Sequence, residues 1–389
     1  MKKATLPPPP YPIFSEEEIK KTYSIYSQNL IDDYYLKGMT RFEEELAEYL
    51  GVKYAFATNS GYSSIVLSLL AANVKVGDEV VLPAISWAQT LSPIVHIGAT
   101  PVFADIDRYT FQISLEEIKR VVTNKTKAVL VVNLYGASPE LDKIKQFCEQ
   151  KDIYLIEDSA HSMGCTYHNS YTATWGHMGA ISFNKEKLLG VGGAGAAVTN
   201  SKDLYEKIIY YGSKSLHKRF ILQDTDYNLQ DLIDYTFLCH PILQELCRGK
   251  LSSLQELNEI RRENVKFLRD EISDIKHLAI QDVFHGSELP LHMFSFLNLS
   301  PIKQDMLFKM FKRCNLPIFA YNPTPLNKMK SDRFSWAADY KEQECKNAER
   351  LSKNEVCITS YRWYTKNQDY LRQYSDVIHY VYEEIDKRV

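Results

Sequence analysis

The sequence lacks a strong excess of charge of either sign. Its 46 lysine and arginine residues against 49 aspartate and glutamate residues give a formal net charge of −3. Its short basic cluster at 214–219 is mixed with other residue types, which is typical of a solvated loop. Because nucleic-acid binding depends on clustered lysine and arginine, the sequence predicts no nucleic-acid partner.

Long hydrophobic runs are missing too. A helix that spans a bilayer needs about 20 mostly apolar residues, and no window of the sequence approaches that pattern. The first twelve residues are rich in lysine and proline and lack the apolar core of a signal peptide. We therefore expect no membrane partner and a cytoplasmic location.

Cysteines are few and scattered. The seven are Cys148, Cys165, Cys239, Cys247, Cys314, Cys345 and Cys357, and no two of them form a CxxC pair. This pattern indicates neither a disulfide framework nor a zinc site. Reduced and mostly buried thiols, with no metal, are the expectation.

The sequence does contain short apolar runs that alternate with helical stretches. Strand-like runs occur at 79–82, 127–132 and 153–157, and a helical stretch occurs at 141–150. Strand and helix in repetition are typical of a parallel sheet covered by helices on both faces. The fold class predicted for this region is therefore α/β.

A capping-box pattern marks one helix start. Thr40 and Glu43 have the spacing at which each side chain bonds the backbone of the other. Phe42, Leu46 and Leu50 follow at helical spacing, which predicts one apolar face toward a core.

The length and a change of pattern predict two domains. A chain of 389 residues exceeds the size at which one core stops growing, and helical periodicity dominates from 252 to 273. We predict an N-terminal extension and helix at 1–34, a large domain at 35–250 and a smaller α+β domain at 251–389. A polar stretch without periodicity at 213–235 is predicted to be a functional loop.

Two segments follow strand-like runs and carry residues suited to ligand binding. The first, Asn59-Ser60-Gly61-Tyr62-Ser63-Ser64, lies between a strand and a helix, where small residues let backbone N–H groups approach an anion. The second, Pro83-Ala84-Ile85-Ser86-Trp87, places a tryptophan at the end of a strand, where open α/β sheets bind ligands. Taken alone, the first segment is more often a common Ser/Gly turn before a helix, and a buried structural tryptophan explains the second equally well.

Two further segments carry ionisable groups. In Ile156-Glu157-Asp158-Ser159-Ala160-His161 an apolar strand ends in two carboxylates. A carboxylate there is costly unless it is paired or hydrogen-bonded, so it is expected to bind a metal or a protonated ring nitrogen, unless Asp158 instead caps a helix. In Ser182-Phe183-Asn184-Lys185-Glu186-Lys187 a lysine precedes the glycine-rich turn 190–195. Such a lysine is either a surface residue or, when desolvated, able to form a Schiff base.

In this order and spacing the four segments resemble the DegT/DnrJ/EryC1/StrS family, sugar aminotransferases of the aspartate-aminotransferase fold. The resemblance runs from about residue 35 to residue 200 and includes the segments 76–83, 98–105 and 133–136. It implies a three-layer fold-type-I pyridoxal-phosphate (PLP) transferase large domain with a mainly parallel sheet, and a smaller α+β C-terminal domain.

The resemblance also implies roles for residues. Lys187, four residues after the phenylalanine of the Ser-Phe pair, is the expected Schiff-base lysine, and Asp158 is expected to pair with the pyridine nitrogen of PLP. Trp87 is expected to stack on the cofactor ring and His161 to lie near its 3′ oxygen. The remaining expected cofactor-binding residues are Gly61, Tyr62, Ser63, Ser182 and Asn184.

The activity implied is a transaminase that alternates between PLP and pyridoxamine phosphate. Glutamate or glutamine is the expected amino donor, and a keto-sugar, nucleotide-linked or free, or a keto-cyclitol is the expected acceptor. A homodimer with shared active sites is implied. Lys218, Arg219 and Tyr321 are candidate substrate-binding residues, although exposed loop charges are the commoner explanation for the first two.

Two alternatives remain open at this point. One is another PLP reaction, such as that of the family's sugar 3-dehydratases, which carry histidine in place of the Schiff-base lysine; Lys187 argues against it. The other is a non-catalytic descendant. Val191 in place of a glutamate and the absence of the family's Asn-Tyr-Arg at 236–238 favour it, whereas the retention of Lys187 and Asp158 argues against it. Tyr62 in place of a threonine and Asn327 in place of a histidine are further departures from the family pattern.

Overall fold

The structure, a computed structural model, describes most of the chain. The described residues are 40–212, 235–321, 324–329, 344–360 and 362–388, with residues 16, 19, 20, 23 and 24 before them. The predicted N-terminal extension at 1–34 therefore lies almost wholly outside the described residues. The predicted loop, apart from residue 235, and the candidates Lys218 and Arg219 also lie outside them.

Helices and strands alternate through the described chain up to residue 212. Their order is α1 (Arg41–Leu50), β1 (Tyr54–Thr58), α2 (Gly61–Ala71), β2 (Glu79–Pro83), α3 (Ala88–His96), β3 (Thr100–Ala104), α4 (Leu115–Val121), β4 (Thr126–Val132), α5 (Leu141–Gln150), β5 (Tyr154–Asp158), β6 (Thr166–Tyr167), β7 (Ser170–Tyr171), β8 (Met178–Ser182), β9 (Gly195–Thr199) and α6 (Lys202–Gly212). The three predicted strands and the helix at 141–150 are confirmed to within one residue.

Seven of these strands form one sheet in the order β1-β9-β8-β5-β4-β2-β3. The pairs from β8 to β3 are all parallel, with Val132 opposite Asp158 in the β4–β5 register. β9 runs antiparallel to both of its neighbours, so β1 points the same way as β8. The mainly parallel sheet is therefore confirmed.

Both faces of the sheet are buried. Successive residues of β4 alternate between two cores, with Leu130 in the larger and Val129 in the smaller. Ile118 of α4 and Ile144 of α5 complete the smaller core. This alternation follows from the two-residue period of a strand. Helices thus cover both faces, which gives the predicted three layers.

The described chain beyond residue 235 contains a second, antiparallel sheet. Its elements are α7 (Pro241–Glu271), β10 (Leu278–Ile280), β11 (Met293–Asn298), α8 (Gln304–Arg313), a 3₁₀ turn (Leu326–Lys328), α9 (Lys346–Asn354), β12 (Glu355–Thr359) and α10 (Asp369–Asp386). The strand order is β10-β11-β12, with both pairs antiparallel. Helices with a small antiparallel sheet are the α+β composition predicted for this region.

Helix α7 begins earlier than the sequence pattern predicts. Periodicity predicts a helix from residue 252, whereas the helix begins at Pro241 behind the N-cap His240, whose Nδ1 accepts the N–H of Ile242. Proline suits the first helical position because its missing N–H has no helical partner there. The helix runs without a break through residue 250, so the proposed domain boundary falls within it.

Helix α1 begins as its capping box predicts. The Thr40 hydroxyl accepts the Glu43 N–H, and a Glu43 carboxylate oxygen accepts the Thr40 N–H at 2.7 Å. Phe42, Leu46 and Leu50 are all buried on one face of this helix. Glu43 also accepts the Ala57 N–H of β1, which ties the helix to the sheet.

All seven cysteines are buried and none is in a disulfide. Among the described residues, no group of histidine, cysteine, aspartate and glutamate is arranged to hold a metal ion. None of the described helices has the length and hydropathy that a bilayer crossing requires.

Glu157 is a buried carboxylate that organises the chain beside β5. Its oxygens accept the backbone N–H groups of Ala173, Trp175 and Gly176 at 2.8–2.9 Å and the side-chain amide of Asn133 at 3.0 Å. Burial raises the pKa of this carboxyl, and the same hydrogen bonds oppose the rise. The loop between β7 and β8 is thus fixed to the strand that carries Asp158.

The variant Glu157→Gln is expected to lower the free energy of unfolding by about 2 kcal/mol, because the amide group places a donor against backbone donors that stay buried. Urea unfolding followed by circular dichroism measures the change. Glu149→Gln on the exposed face of α5 is the control and should change stability by less than about 0.5 kcal/mol. Equal stabilities of the two variants would contradict this role of Glu157.

Candidate functional site

One cavity lies at the carboxyl edge of the large sheet. Strands β1, β2, β5 and β8 all end there, because parallel strands present their carboxyl ends at the same edge. The segments that follow these four strands are the four that the sequence singles out. They enclose a cavity of about 320 Å³, within the size range of small-molecule sites.

The structure brings most of the predicted site residues to this cavity. Those that line it are Gly61, Tyr62, Trp87, Asp158, His161, Ser182, Asn184, Lys187 and Tyr321. Ser63 is not among the lining residues: its N–H donates to Ser60 Oγ at 3.2 Å, and its hydroxyl donates to Asn59 Oδ1 at 2.6 Å. Its hydrogen bonds therefore lie within the turn that starts α2.

Backbone crowding explains the glycines at this turn. A Cβ on Gly61 would lie 2.7 Å from Ser182 Cβ, and one on Gly195 would lie 2.6 Å from the Gly61 nitrogen. Ser60 caps the helix, and Gly61 and Tyr62, the first two residues of α2, both line the cavity. Backbone N–H groups at a helix start are suited to bind an anion such as phosphate.

Tyr62 points its hydroxyl away from that turn. Its Oη lies 2.5 Å from Nδ1 of His96 at the end of α3. The ring still lines the cavity, and partial burial raises the pKa of the phenol. The Tyr62 hydroxyl is therefore engaged by His96 in this structure.

Asp158 is a buried carboxylate that lines the cavity. Thr90 donates its hydroxyl to Oδ2 at 2.7 Å, and the Ala160 N–H donates to Oδ1 at 3.1 Å. Ser86 lies 2.7 Å from the Thr90 hydroxyl and, since that proton is used, donates to it. Burial raises the pKa of Asp158, while these hydrogen bonds and the charge of Lys187 lower it. A cation in the cavity would stabilise this carboxylate.

The alternative role of Asp158 as a helix N-cap is wrong. Residues 159–165 form turns after β5 and no helix begins there. The Ala160 N–H closes a local turn around the Asp158 carboxylate instead. The carboxylate is therefore available to the cavity, which it lines.

Lys187 lies in a turn immediately after β8. Its own N–H donates to the Asn184 carbonyl at 3.0 Å, which closes the lysine turn (residues 184–187). Burial lowers the pKa of Lys187 to about 8, and the carboxylate of Asp158 opposes the shift. An amine with a lowered pKa is partly deprotonated near neutral pH and so able to attack a carbonyl.

The hydrogen bonds of His161 fix the tautomer of its ring. The backbone N–H of Tyr135 donates to His161 Nδ1 at 3.2 Å, so the ring proton is on Nε2. That Nε2–H then donates to Tyr321 Oη at 2.9 Å, which leaves the phenol proton for a ligand. Burial lowers the pKa of His161 and raises that of Tyr321, so both groups are neutral.

Several residues of the cavity were missed from the sequence. They are Thr90 and Ser86, which support Asp158, and His292, whose ring stacks on that of His161 with centroids 4.1 Å apart. Thr90 lies three residues after Trp87, in the first turn of α3, and its side chain reaches Asp158 at the end of β5. His292 has no motif around it, so the sequence carries no signal for it.

Comparison with known proteins gives a consistent result. The sequence matches the model of the DegT/DnrJ/EryC1/StrS aminotransferase family over residues 13–371. It is 30% identical to a GDP-perosamine synthase of Escherichia coli O157:H7 over 249 residues, which make up 63% of this chain and 66% of that protein. It is 29% identical to a dTDP-4-dehydro-2,3,6-trideoxy-D-glucose 4-aminotransferase of Saccharopolyspora spinosa over 80% of this chain and 83% of that enzyme.

The fold is also found among solved structures. A GDP-4-keto-6-deoxymannose-3-dehydratase with a trapped PLP-glutamate geminal diamine superposes with a TM-score of 0.83 at 25% identity, over 94% of this chain and 99% of that one. This likeness confirms the predicted fold of the PLP transferases.

Proposed function

The chain belongs to the DegT/DnrJ/EryC1/StrS aminotransferase family, and on that basis we propose that it transfers an amino group to a keto-sugar. The single observation that carries the proposal is the placement of Lys187 and Asp158 in one cavity at the carboxyl edge of the sheet. The amine is a nucleophile of lowered pKa, and the carboxylate is a buried partner for a cation.

The cavity fits pyridoxal phosphate. Its volume of about 320 Å³ suits a cofactor of that size. Asp158 would face the protonated ring nitrogen, and the α2 start at Gly61 with Ser182 would hold the phosphate. When bound, pyridoxal phosphate supplies an aldehyde for the lysine and a ring that withdraws electrons from the carbon losing its proton.

Lys187 has two tasks in this proposal. It holds the cofactor covalently before the amino donor arrives, and once displaced its amine moves a proton at the donor's α-carbon. Glutamate or glutamine is the proposed donor, and pyridoxamine phosphate is the proposed form in which the cofactor would hold the amino group. Asp158 keeps the ring nitrogen protonated, and Trp87 covers one face of the ring.

Tyr321, which lines the cavity beside His161, is placed to bind an oxygen. With its proton unused by His161, Tyr321 can donate to an oxygen of the cofactor or the substrate. We propose that His161 lies near the cofactor's 3′ oxygen, as the family resemblance implies. Asn184 lines the exposed rim, where contact with the sugar is expected.

The acceptor is proposed to be a nucleotide-linked keto-sugar. The two curated relatives above are named for work on GDP- and dTDP-linked sugars. The relative that is 29% identical over most of both chains is named as a 4-aminotransferase. We therefore favour amination of a keto group as the reaction.

A homodimer with shared sites is part of the proposal. Trp87 lines the cavity with 53% of its surface exposed, an unusual state for so large an apolar side chain. A second chain that closes this rim would bury it together with the cofactor. The seven buried cysteines, none of which is in a disulfide, support the further proposal of a reducing, cytoplasmic compartment.

The sugar 3-dehydratase reaction is the less favoured alternative. One structural neighbour is such an enzyme, so the fold alone does not separate the two reactions. Lys187, which the family's dehydratases replace by histidine, stands at the cavity and favours transamination.

A single-turnover reaction tests the proposal. Protein loaded with pyridoxal phosphate and mixed with glutamate, without acceptor, should release one equivalent of 2-oxoglutarate per chain and convert the cofactor to pyridoxamine phosphate, both measured by liquid chromatography. Added GDP- or dTDP-4-keto-6-deoxy-sugar should restore pyridoxal phosphate and yield an amino-sugar. Cofactor that binds but is never converted by glutamate or glutamine would overturn transamination.

A further inference from the structure

The lysine turn is held from both sides by side chains that come from beyond residue 250. His292 Nε2 lies 2.7 Å from the carbonyl oxygen of Glu186, the residue before Lys187. Arg261 of α7 donates to the carbonyl of Leu188, the residue after it, at 3.4 Å. The carbonyl groups of the residues before and after Lys187 are therefore both bound by side chains from the C-terminal part of the chain.

The position of His292 is itself fixed. Its backbone N–H donates to the Tyr135 carbonyl at 2.8 Å, and its carbonyl accepts the Ser360 N–H at 3.2 Å. Its ring stacks on that of His161 with an interplanar angle of 9°. Both rings are buried, with 1% and 4% of their surfaces exposed. A ring held at its backbone and on one face has little freedom to turn.

The hydrogen bond to Glu186 has a single direction. A carbonyl oxygen can only accept, so His292 carries its proton on Nε2 and donates it. His292 is therefore a neutral or charged donor to the lysine turn, and burial together with the charge of Lys187 lowers its pKa, which favours the neutral ring. Its role in the cavity is thus to hold a backbone group.

We propose that His292 is a positioning residue for Lys187: its Nε2–H holds the Glu186 carbonyl and so aims the lysine amine into the cavity. The inference rests on the proposed function of Lys187. It links the reactive lysine to β11, so that the C-terminal part of the chain sets the geometry of a group on the large sheet.

Two substitutions distinguish the role of the His292 ring from that of its N–H donor. His292→Phe keeps a flat ring to stack on His161 but loses the donor. His292→Gln loses the ring but can place an N–H donor at nearly the same distance from the main chain. A positioning role through the hydrogen bond predicts that the first variant is impaired and the second is largely rescued.

The first readout uses the full-length protein without cofactor. Lys187 is labelled by reductive methylation with formaldehyde and cyanoborohydride across a pH series, and its extent of modification is read by peptide mass. In His292→Phe the midpoint should move upward by about one pH unit, because a released amine reaches water and its pKa returns toward the ordinary value of about 10.4. In His292→Gln the midpoint should stay near that of the wild type.

The second readout is affinity for pyridoxal phosphate, measured by fluorescence titration. His292→Phe should bind about tenfold more weakly, the effect of one buried hydrogen bond, and His292→Gln should stay within about threefold. The thermal unfolding midpoint of each variant shows whether a loss of affinity only reflects a loss of stability. A destabilised His292→Phe with an unchanged labelling midpoint and affinity would make His292 a purely structural residue.

Other outcomes also decide the matter. Equal impairment of both variants would assign the effect to ring stacking and overturn the hydrogen-bond proposal. Wild-type protein that binds no pyridoxal phosphate would defeat the proposed function, whereas the labelling series in the unliganded protein would still test the positioning of Lys187 by itself.

Discussion

Lys187→Ala is expected to abolish turnover, with a fall in kcat of about 10⁴-fold, the upper range for loss of a proton-transfer group. The amine of Lys187 is placed both to hold the cofactor and to move the proton at the donor's α-carbon, so one substitution removes both tasks. Steady-state assay of 2-oxoglutarate release from glutamate in the presence of a keto-sugar nucleotide measures the loss. Added small amines such as ethylamine should restore part of the rate.

The neighbouring Lys185 offers a matched control. It lies in the same turn, its side chain is exposed, and it does not line the cavity. Lys185→Ala should therefore keep kcat within about twofold of the wild type, as expected for a surface substitution. If Lys185→Ala were inactive and Lys187→Ala active, the identity of the reactive lysine would have to be reassigned.

Asp158→Asn is the second large effect, an expected fall in kcat of about 10²–10³-fold, typical for removal of one electrostatic group from an active site. The amide can keep the local hydrogen bonds, because the Thr90 hydroxyl can rotate to accept from it. What is lost is the charge that would keep the cofactor nitrogen protonated. Thr90→Val removes a hydrogen bond to Asp158 but keeps its charge. Comparing the kcat of Asp158→Asn with that of Thr90→Val therefore shows how much of the fall in kcat is due to the loss of the charge.

The same substitution should not weaken the unliganded protein. Burial raises the folded-state pKa of Asp158, and a carboxyl with a raised folded pKa destabilises the fold as pH rises through that value. At neutral pH the amide removes this cost, so the unfolding midpoint without cofactor should stay level or rise. Measured by calorimetry, a clear fall of the midpoint would show that Asp158 is a structural rather than a functional carboxylate.

Asp158 also acts on Lys187. Its charge raises the pKa of the lysine against the effect of burial. Asp158→Asn should therefore lower the midpoint of Lys187 labelling below the wild-type value of about 8. This shift has the opposite sign to that expected for His292→Phe, so the two effects are distinguishable in one assay.

Local signals made much of the fold predictable. The α1 start follows from Thr40 and Glu43 alone, since a capping box involves residues three apart. The strands follow from short apolar runs. The cavity was predictable as well, because segments that follow parallel strands must meet at one edge of the sheet. Asp158 and Lys187 are both at such strand ends.

Contacts between distant residues could not be read in this way. The Thr90 bond to Asp158 joins residues 68 apart, and the His292 bond to Glu186 joins residues 106 apart. The Tyr62 bond to His96 likewise depends on the packing of α2 beside α3. In each case the partner is set by tertiary packing, which a single sequence does not specify.

The central claim is that Lys187 holds the cofactor, and the most direct measurement is to locate the attachment. Wild-type protein incubated with pyridoxal phosphate is reduced with borohydride, digested and analysed by peptide mass spectrometry. A phosphopyridoxyl group on Lys187, absent from Lys185, is the predicted result. A protein that carries no such group, or carries it equally on many exposed lysines, would contradict the account.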